Sequence, residues 1–187
     1  MLANNRRMDH SEAVITIVSG IPGAGKTTVS RLLAEEWPRS VHLEGDRIGA
    51  EFIVRGLLHP GEEPADQSEA QLLLRRRNTA LLADSFGSAG FEVVIDDVIL
   101  WPGGLRIYLD LLRSRPVRFL VLAPRLDVIA RRDAGRDKHV FELWRHLNDD
   151  LRRWSDQPGL RLDTSDQDAA KTAWIIRQRW DEALVAN

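Results

Sequence analysis

The feature that most restricts what this chain can fold into is the segment GIPGAGKTT, residues 20–28. It stands between an apolar run, AVITIVS (13–19), and a segment in which Val29, Leu32, Leu33 and Trp37 recur at helical spacing. Gly20, Ile21, Pro22, Gly23, Ala24, Gly25, Lys26 and Thr27 match G-x-x-x-x-G-K-[ST] in full, in the strand-then-helix setting that gives the match its meaning. Glycine reaches backbone dihedrals that side chains forbid, so successive N–H groups can converge on an anion. The N-terminus of the following helix adds partial positive charge. Lys26 is placed to reach the β- and γ-phosphates, and the Thr27 hydroxyl, followed by Thr28, to ligate Mg²⁺. The segment predicts a phosphate cradle with ATP and Mg²⁺ as its ligands; a glycine-rich turn with a merely exposed lysine is the alternative.

The order of the remaining elements agrees with such a cradle. Apolar, strand-like runs fall at 13–19, 41–44, 91–96, 117–123 and 160–163, most of them continuous rather than alternating. Such runs suit strands covered on both faces, as in a parallel sheet. Helix-like segments lie between and after them at 26–36, 67–88, 103–114, 125–134, 139–154 and 166–185. The expected core-facing residues include Leu74, Leu81, Leu82 and Phe86 on the second of these, and Leu143, Leu147, Leu151 and Trp154 on the fifth. On the last, Ala169, Ala173, Ile176, Trp180 and Leu184 share a stripe, with Ser165-Asp166-Gln167-Asp168 resembling an N-cap and acidic first turn. Alternation of strand and helix predicts an α/β fold: a five-stranded parallel sheet with helices on both faces.

Length allows one domain, expected over 13–187 behind a flexible leader at 1–12. The Gly-, Pro- and acid-rich stretch 56–67 is too short to divide the chain and reads as a mobile segment at the mouth of a site. The chain has no cysteine, which excludes disulfides, thiolate metal sites and cysteine nucleophiles. A net charge of -2 argues against a dedicated nucleic-acid binder. No apolar run approaches the roughly 20 residues that span a bilayer. The expected compartment is the cytoplasm, and the sequence leaves the oligomeric state open.

Two acidic positions belong beside the cradle. FEVVIDDVIL ends an apolar run with Asp96 and Asp97, where a carboxylate can hold Mg²⁺ or orient Thr27. Adjacent strand residues point to opposite faces, so one of the pair is expected to face the metal, and spacing does not say which. Asp46, in VHLEGDRIGAEF, lies just past the second strand, and the strand C-termini of an open parallel sheet share one crevice. A carboxylate there can take a proton from an attacking hydroxyl. A helix N-cap is the other use for it.

GIPGAGKTT, Asp46 in LEGDRI, VVIDDVIL and RLDTSDQDAAKTAWII together resemble the P-loop small-molecule kinases, in particular chloramphenicol phosphotransferase and its zeta-toxin and polynucleotide-kinase relatives. The likeness runs from residue 14 to about 180. It implies that Asp46 is the general base. It also implies a helical lid over about 125–138, whose arginines, among them Arg125, Arg131, Arg132 and Arg136, close over the phosphates. Arg132 and Arg136 would share one helix face. The lid reads GRDK where the family reads closer to R-G-D-R. By the same likeness the loop after the fifth strand passes the adenine, which makes Thr164 and Ser165 candidates for base contact.

Other features carry less. Consecutive helical arginines at 75–77 spread around the axis and read as a solvated face, with Arg77 and Asn78 nearest an acceptor. The five histidines show no i, i+4 pair of the kind that binds zinc. Trp101 suits either a stacking platform or the core, while Trp144, Trp154, Trp174 and Trp180 read as core. The function expected is transfer of the ATP γ-phosphate to a hydroxyl of a small molecule. A polynucleotide 5′-hydroxyl kinase, a toxin-like sugar-nucleotide kinase and a slowly hydrolysing nucleotide switch are the alternatives.

Overall fold

A computed structural model describes residues 14–134 and 147–187. Five parallel strands form the centre: β1 (Ile15–Ser19), β2 (Ser40–Glu44), β3 (Glu92–Asp96), β4 (Val117–Leu122) and β5 (Leu160–Leu162). Their spatial order is β2-β3-β1-β4-β5. The helices are α1 (Lys26–Ala34), α2 (Gly45–Ala50), α3 (Ala65–Ser88), α4 (Pro102–Leu111), α5 (Leu126–Ala134), α6 (Leu147–Arg153) and α7 (Ala169–Gln178). The continuous apolar runs are two-sided strands as expected. Ile15, Ile17, Val93, Ile95, Phe119 and Val121 join one core cluster, and Val18, Val94, Leu120 and Leu122 join the other. The first cluster is covered by α3, α4 and α6, the second by α1 and α7.

α3 corrects the expected stripe. Leu74 and Leu81 are exposed, and the buried face is Arg76, Thr79, Ala80, Ala83 and Gly87. Small side chains let this long helix lie close to the sheet: a Cβ on Gly87 would stand 3.6 Å from Cδ1 of Ile15. The inward face is thus mostly small or polar, and periodicity of large apolar residues points to the wrong side.

The C-terminal segment is shorter as a helix than its stripe suggests. Asp168 is the N-cap, accepting from the Lys171 N–H at 2.7 Å, and α7 stops at Gln178. A 3-10 turn (Trp180–Ala183) follows, then a sixth strand, β6 (Leu184–Ala186), antiparallel to β4 through Val117 and Arg118. β5 takes the other half of the same β4 edge, from Leu120 to Leu122. Trp154 and Trp180 are core as expected, but Trp174 is exposed on α7. The leader 1–12, Leu143 and Trp144 lie outside the described residues.

Candidate active site

Parallel register brings the strand ends level. Val18 and Glu44 both stand beside Asp96, and Ser19 stands beside Val121. The loops leaving β1, β2, β3, β4 and β5 therefore crowd one end of the sheet, where ligands of open α/β folds bind.

The loop after β1 has the backbone its glycines predict. Gly20, Gly23 and Gly25 have φ of 146°, 88° and 96°, and Gly25 is the N-cap of α1. A Cβ on Gly20 would meet the Leu122 carbonyl at 2.5 Å, and one on Gly23 would meet Cγ2 of Ile129 at 2.8 Å. Ile21 and Ala24 are buried anchors, and Pro22 lies half-buried between them. Lys26 opens α1, 8% exposed, with Nζ donating to the Ile21 carbonyl at 3.5 Å. Thr27 and Thr28 follow, exposed, on the first turn. Below the loop, the Ser19 hydroxyl donates to the Ile99 carbonyl at 2.7 Å and accepts from the Ile99 N–H at 2.8 Å, tying β1 to the segment after β3.

Asp96 and Asp97 divide between the two faces of β3. Asp96 shares the α1 face with Val94, and its Oδ2 is 2.9 Å from Nε2 of His42. Glu44 is level with Asp96 on the neighbouring strand. Asp97 enters the opposite face, with a fully buried side chain. Its Oδ1 accepts from Arg75 at 2.7 Å and from the Val98 N–H at 2.8 Å. Its Oδ2 accepts from Nε of Arg76 at 3.3 Å and from the Tyr108 hydroxyl at 3.0 Å. A carboxylate has about four lone-pair sites, and all four of Asp97 are filled from within the chain. Of the two residues read as metal-side candidates, only Asp96 lies on the face that α1 covers.

The reading of residues 75–77 as a solvated face is corrected here. Arg76 is 2% exposed, and Arg75 is largely buried beside it; only Arg77 is exposed. Two neighbouring helical arginines can reach one carboxylate because their long stems splay to either side of it. Burial would raise the Asp97 carboxyl, but Arg75 and Arg76 outweigh it and hold the group below its ordinary value. Burial and then Asp97 itself push the Tyr108 phenol well above its own. The Arg75 guanidinium, pulled down by burial, is carried above its ordinary value by Asp97 and Asp46.

Asp46 occupies the first turn of α2 rather than its N-cap, which is Glu44. Its Oδ1 accepts from Arg75 at 2.8 Å, while the rest of the side chain faces solvent. The loop behind α2 is pinned to α3: Leu58 N–H donates to Oε1 of Gln71, and Nε2 of Gln71 donates to the Gly56 carbonyl. Trp101 is 41% exposed, with Arg76 stacked 5.0 Å from its ring centroid. It combines both readings offered for it, one side packed and one side open.

On the other flank, α5 presses Ile129 against the Gly23 turn and directs Arg132 across the loop. The Arg132 guanidinium donates to the carbonyls of Ala24 (3.5 Å), Thr164 (3.2 Å) and Gln167 (3.3 Å). It thereby joins the glycine-rich loop to the loop after β5. The Thr164 side chain is buried, and its Oγ1 has no partner among the described residues. Ser165 is engaged locally: its hydroxyl donates to Asp163 and accepts from the Arg125 N–H at 2.8 Å. That bond, with the Ser165 N–H, holds the Asp163 carboxyl below its ordinary value. Arg125 pairs with Asp166 in solvent. Arg136 and the part of the expected lid beyond residue 134 lie outside the described residues.

The donor set fits a nucleotide with Mg²⁺. The glycines hold a cradle that side chains would fill, Thr27 and Asp96 supply hard oxygen donors, and Thr164 keeps a buried hydroxyl in reserve. Mg²⁺ is usually held by one or two protein groups plus phosphates and water. Among the described residues no cluster of three or more histidine or acidic side chains makes a protein-only metal cage.

His42 and Tyr108 went unread in the sequence, while Arg75 and Arg76 were read only as part of a solvated face. Tyr108 carried one weak signal, as the chain's only tyrosine, in an otherwise aliphatic helix. No described helix is long and apolar enough to cross a membrane.

The chain is similar in fold to a sugar kinase from Janibacter sp., with 22% identity over 91% of this chain and 96% of that one, at a TM-score of 0.68. It is also similar to a shikimate kinase from Bacteroides thetaiotaomicron (16% identity, 90% and 98% covered, TM-score 0.64). A tunicamycin resistance protein of Deinococcus radiodurans shares the fold too (20%, 94% and 99%, 0.61). At these identities the likeness is one of fold, the P-loop kinase fold. No curated protein matches the chain in sequence. Residues 15–158 match the model of a family described as AAA domain, and the chain belongs to that family.

Proposed function

We propose that the protein is an ATP-dependent phosphotransferase that delivers the γ-phosphate to a hydroxyl of a small molecule. The observation that carries this reading is Asp46, an ionisable side chain held open to solvent by Arg75 at the strand-end crevice that the glycine-rich loop also borders. A nucleotide switch leaves that carboxylate unexplained. The kinase neighbours in fold support the same reading.

Lys26 and the N–H groups of the glycine-rich loop bind the phosphates. Thr27 and Asp96 would hold Mg²⁺, which would offset charge on the phosphate oxygens. His42 orients Asp96. Asp46 accepts the proton of the acceptor hydroxyl as its oxygen bonds to the γ-phosphorus. The bond from that phosphorus to the bridging oxygen breaks, and ADP leaves with the electron pair. Arg132 neutralises charge at the transferred group, and Arg136 is assigned the same duty. Thr164 and Ser165 border the base. The segment around 56–67 forms the acceptor wall, and the net charge of -2 favours a small molecule over a nucleic-acid strand as the substrate.

The test is incubation with Mg²⁺ and γ-labelled ATP across nucleosides, sugars, aminoglycosides, neutral aromatic alcohols and 5′-hydroxyl oligonucleotides, beside Lys26→Ala and Asp46→Asn. Transfer to one class, lost in both variants, is the expected result. ATP turnover without transfer, insensitive to Asp46→Asn, would overturn the proposal.

A further inference from the structure

Arg75 spans two carboxylates of opposite character. One terminal nitrogen donates to Oδ1 of Asp46 at 2.8 Å, the other to Oδ1 of Asp97 at 2.7 Å. The Asp46 side chain is 76% exposed and the Asp97 side chain not at all. Asp97 cannot turn, because Arg76, Tyr108 and the Val98 N–H hold its remaining lone pairs. Nor can the Arg75 stem move far. It lies against α2, where a Cβ on Gly49 would stand 3.0 Å from its Cδ. Asp46 has no such enclosure. Its carboxylate rotates freely on the rim of a six-residue helix unless Arg75 holds it.

The arrangement transmits rigidity from the core to the rim. Only a planar guanidinium can present two N–H groups to two carboxylates in fixed directions; an ammonium is a point charge. A mere staple between α2 and α3 would not need the carboxylate at the far end of the arginine fixed by three further bonds. We infer that Arg75, anchored on the buried Asp97–Arg76–Tyr108 cluster, is the positioning residue for Asp46. This rests on the reading of Asp46 as the base. In that reading it sets the direction from which the acceptor hydroxyl meets the carboxylate. Misplacing a reacting group by about 1 Å can cost on the order of a hundredfold in rate.

Two measurements test it. The first needs no acceptor: side-chain ¹⁵N spectra of the Arg75 guanidinium in the wild type and in Asp46→Ala, which removes the accepting oxygen at an exposed site. The expected result is faster rotation of the guanidinium in the variant; identical spectra would overturn the inference. The second uses an acceptor found in the transfer assay, with Arg75→Lys and Tyr108→Phe. Arg75→Lys keeps a charge beside Asp97 but loses the bridge. It should lower kcat by about tenfold to a hundredfold, with KM for ATP within about twofold. Tyr108→Phe, which removes a hydrogen bond to Asp97 and none to Arg75 or Asp46, should lower kcat by a few-fold in the same pattern. A kcat unchanged in Arg75→Lys, or a fall matched by equal loss of ATP affinity, would leave Arg75 a structural staple. Absence of transfer to any acceptor would strike the proposed function instead, and the spectra tell the two failures apart.

Discussion

Tyr108 donates its hydroxyl to Oδ2 of Asp97 at 3.0 Å, and both side chains are buried. The pair makes stability depend on pH at both ends. Asp97 is held below its ordinary value in the folded chain. At low pH the unfolded state therefore binds its proton first, and stability is lost as pH falls below about 3.9, the unfolded carboxyl value. Tyr108 is held above its ordinary value, so the unfolded state releases its proton first. Stability is lost as pH rises past about 10, the unfolded phenol value. Urea unfolding across this range should show both limbs in the wild type and a shallower alkaline limb in Tyr108→Phe. Identical alkaline limbs would contradict the burial of the phenol.

Five strands and the glycine-rich loop were legible because their signals are local: continuous apolar runs and a fixed spacing of glycine, lysine and threonine. What escaped notice depends on three dimensions. The period-two rule separates the faces of Asp96 and Asp97, but only strand order shows which face α1 covers. Arg76 looks like a surface residue in sequence, and its burial follows from a carboxylate 21 positions away. Leu74 and Leu81 misled for the converse reason, because α3 approaches the sheet through alanine, threonine and glycine. β6 was hidden by a stripe that fits a helix as far as Trp180 and then continues by coincidence to Leu184.

Arg76 supports a prediction about stability alone. It bonds Asp97 and the Val98 carbonyl and stacks on Trp101. Arg76→Met keeps much of the volume but removes one of two cations beside a buried carboxylate. Breaking a buried pair from one side typically costs about 3–5 kcal/mol. Arg77→Met, one position on and exposed, should cost less than about 0.5 kcal/mol. Thermal unfolding of the two variants decides the matter, and equal midpoints would place Arg76 at the surface.

Thr164 offers a change whose effects on stability and binding run in opposite directions. Its Oγ1 is buried without a partner among the described residues, so the ligand-free protein bears a desolvation cost of about 1–3 kcal/mol. Thr164→Val removes that cost at nearly constant shape. The variant should melt at the same temperature as the wild type or higher, yet bind ATP more weakly, because the hydroxyl borders the loop assigned to the base. Calorimetric titration with ATP measures the second effect. Undiminished affinity would remove Thr164 from the nucleotide site.

Gly20 and Gly159 separate a strained backbone that serves binding from one that serves the fold. Each has a positive φ and a strand carbonyl where a Cβ would go: Leu122 at 2.5 Å for Gly20, Phe119 at 2.3 Å for Gly159. Neither carbonyl can yield without shifting β4. Alanine at either position should destabilise the protein by about 1–3 kcal/mol. Gly20 begins the glycine-rich loop, so Gly20→Ala also redirects the N–H groups assigned to phosphate. Gly159 precedes β5 on the sheet edge, where its turn brings the chain back beside Phe119. With both variants kept well below their melting temperatures, ATP affinity should fall at least about tenfold in Gly20→Ala, the 1.4 kcal/mol equivalent of one misdirected N–H. It should change less than about twofold in Gly159→Ala. Equal losses in the two would mean that affinity follows global stability, and the glycine-rich loop would lose its standing as a preformed cradle.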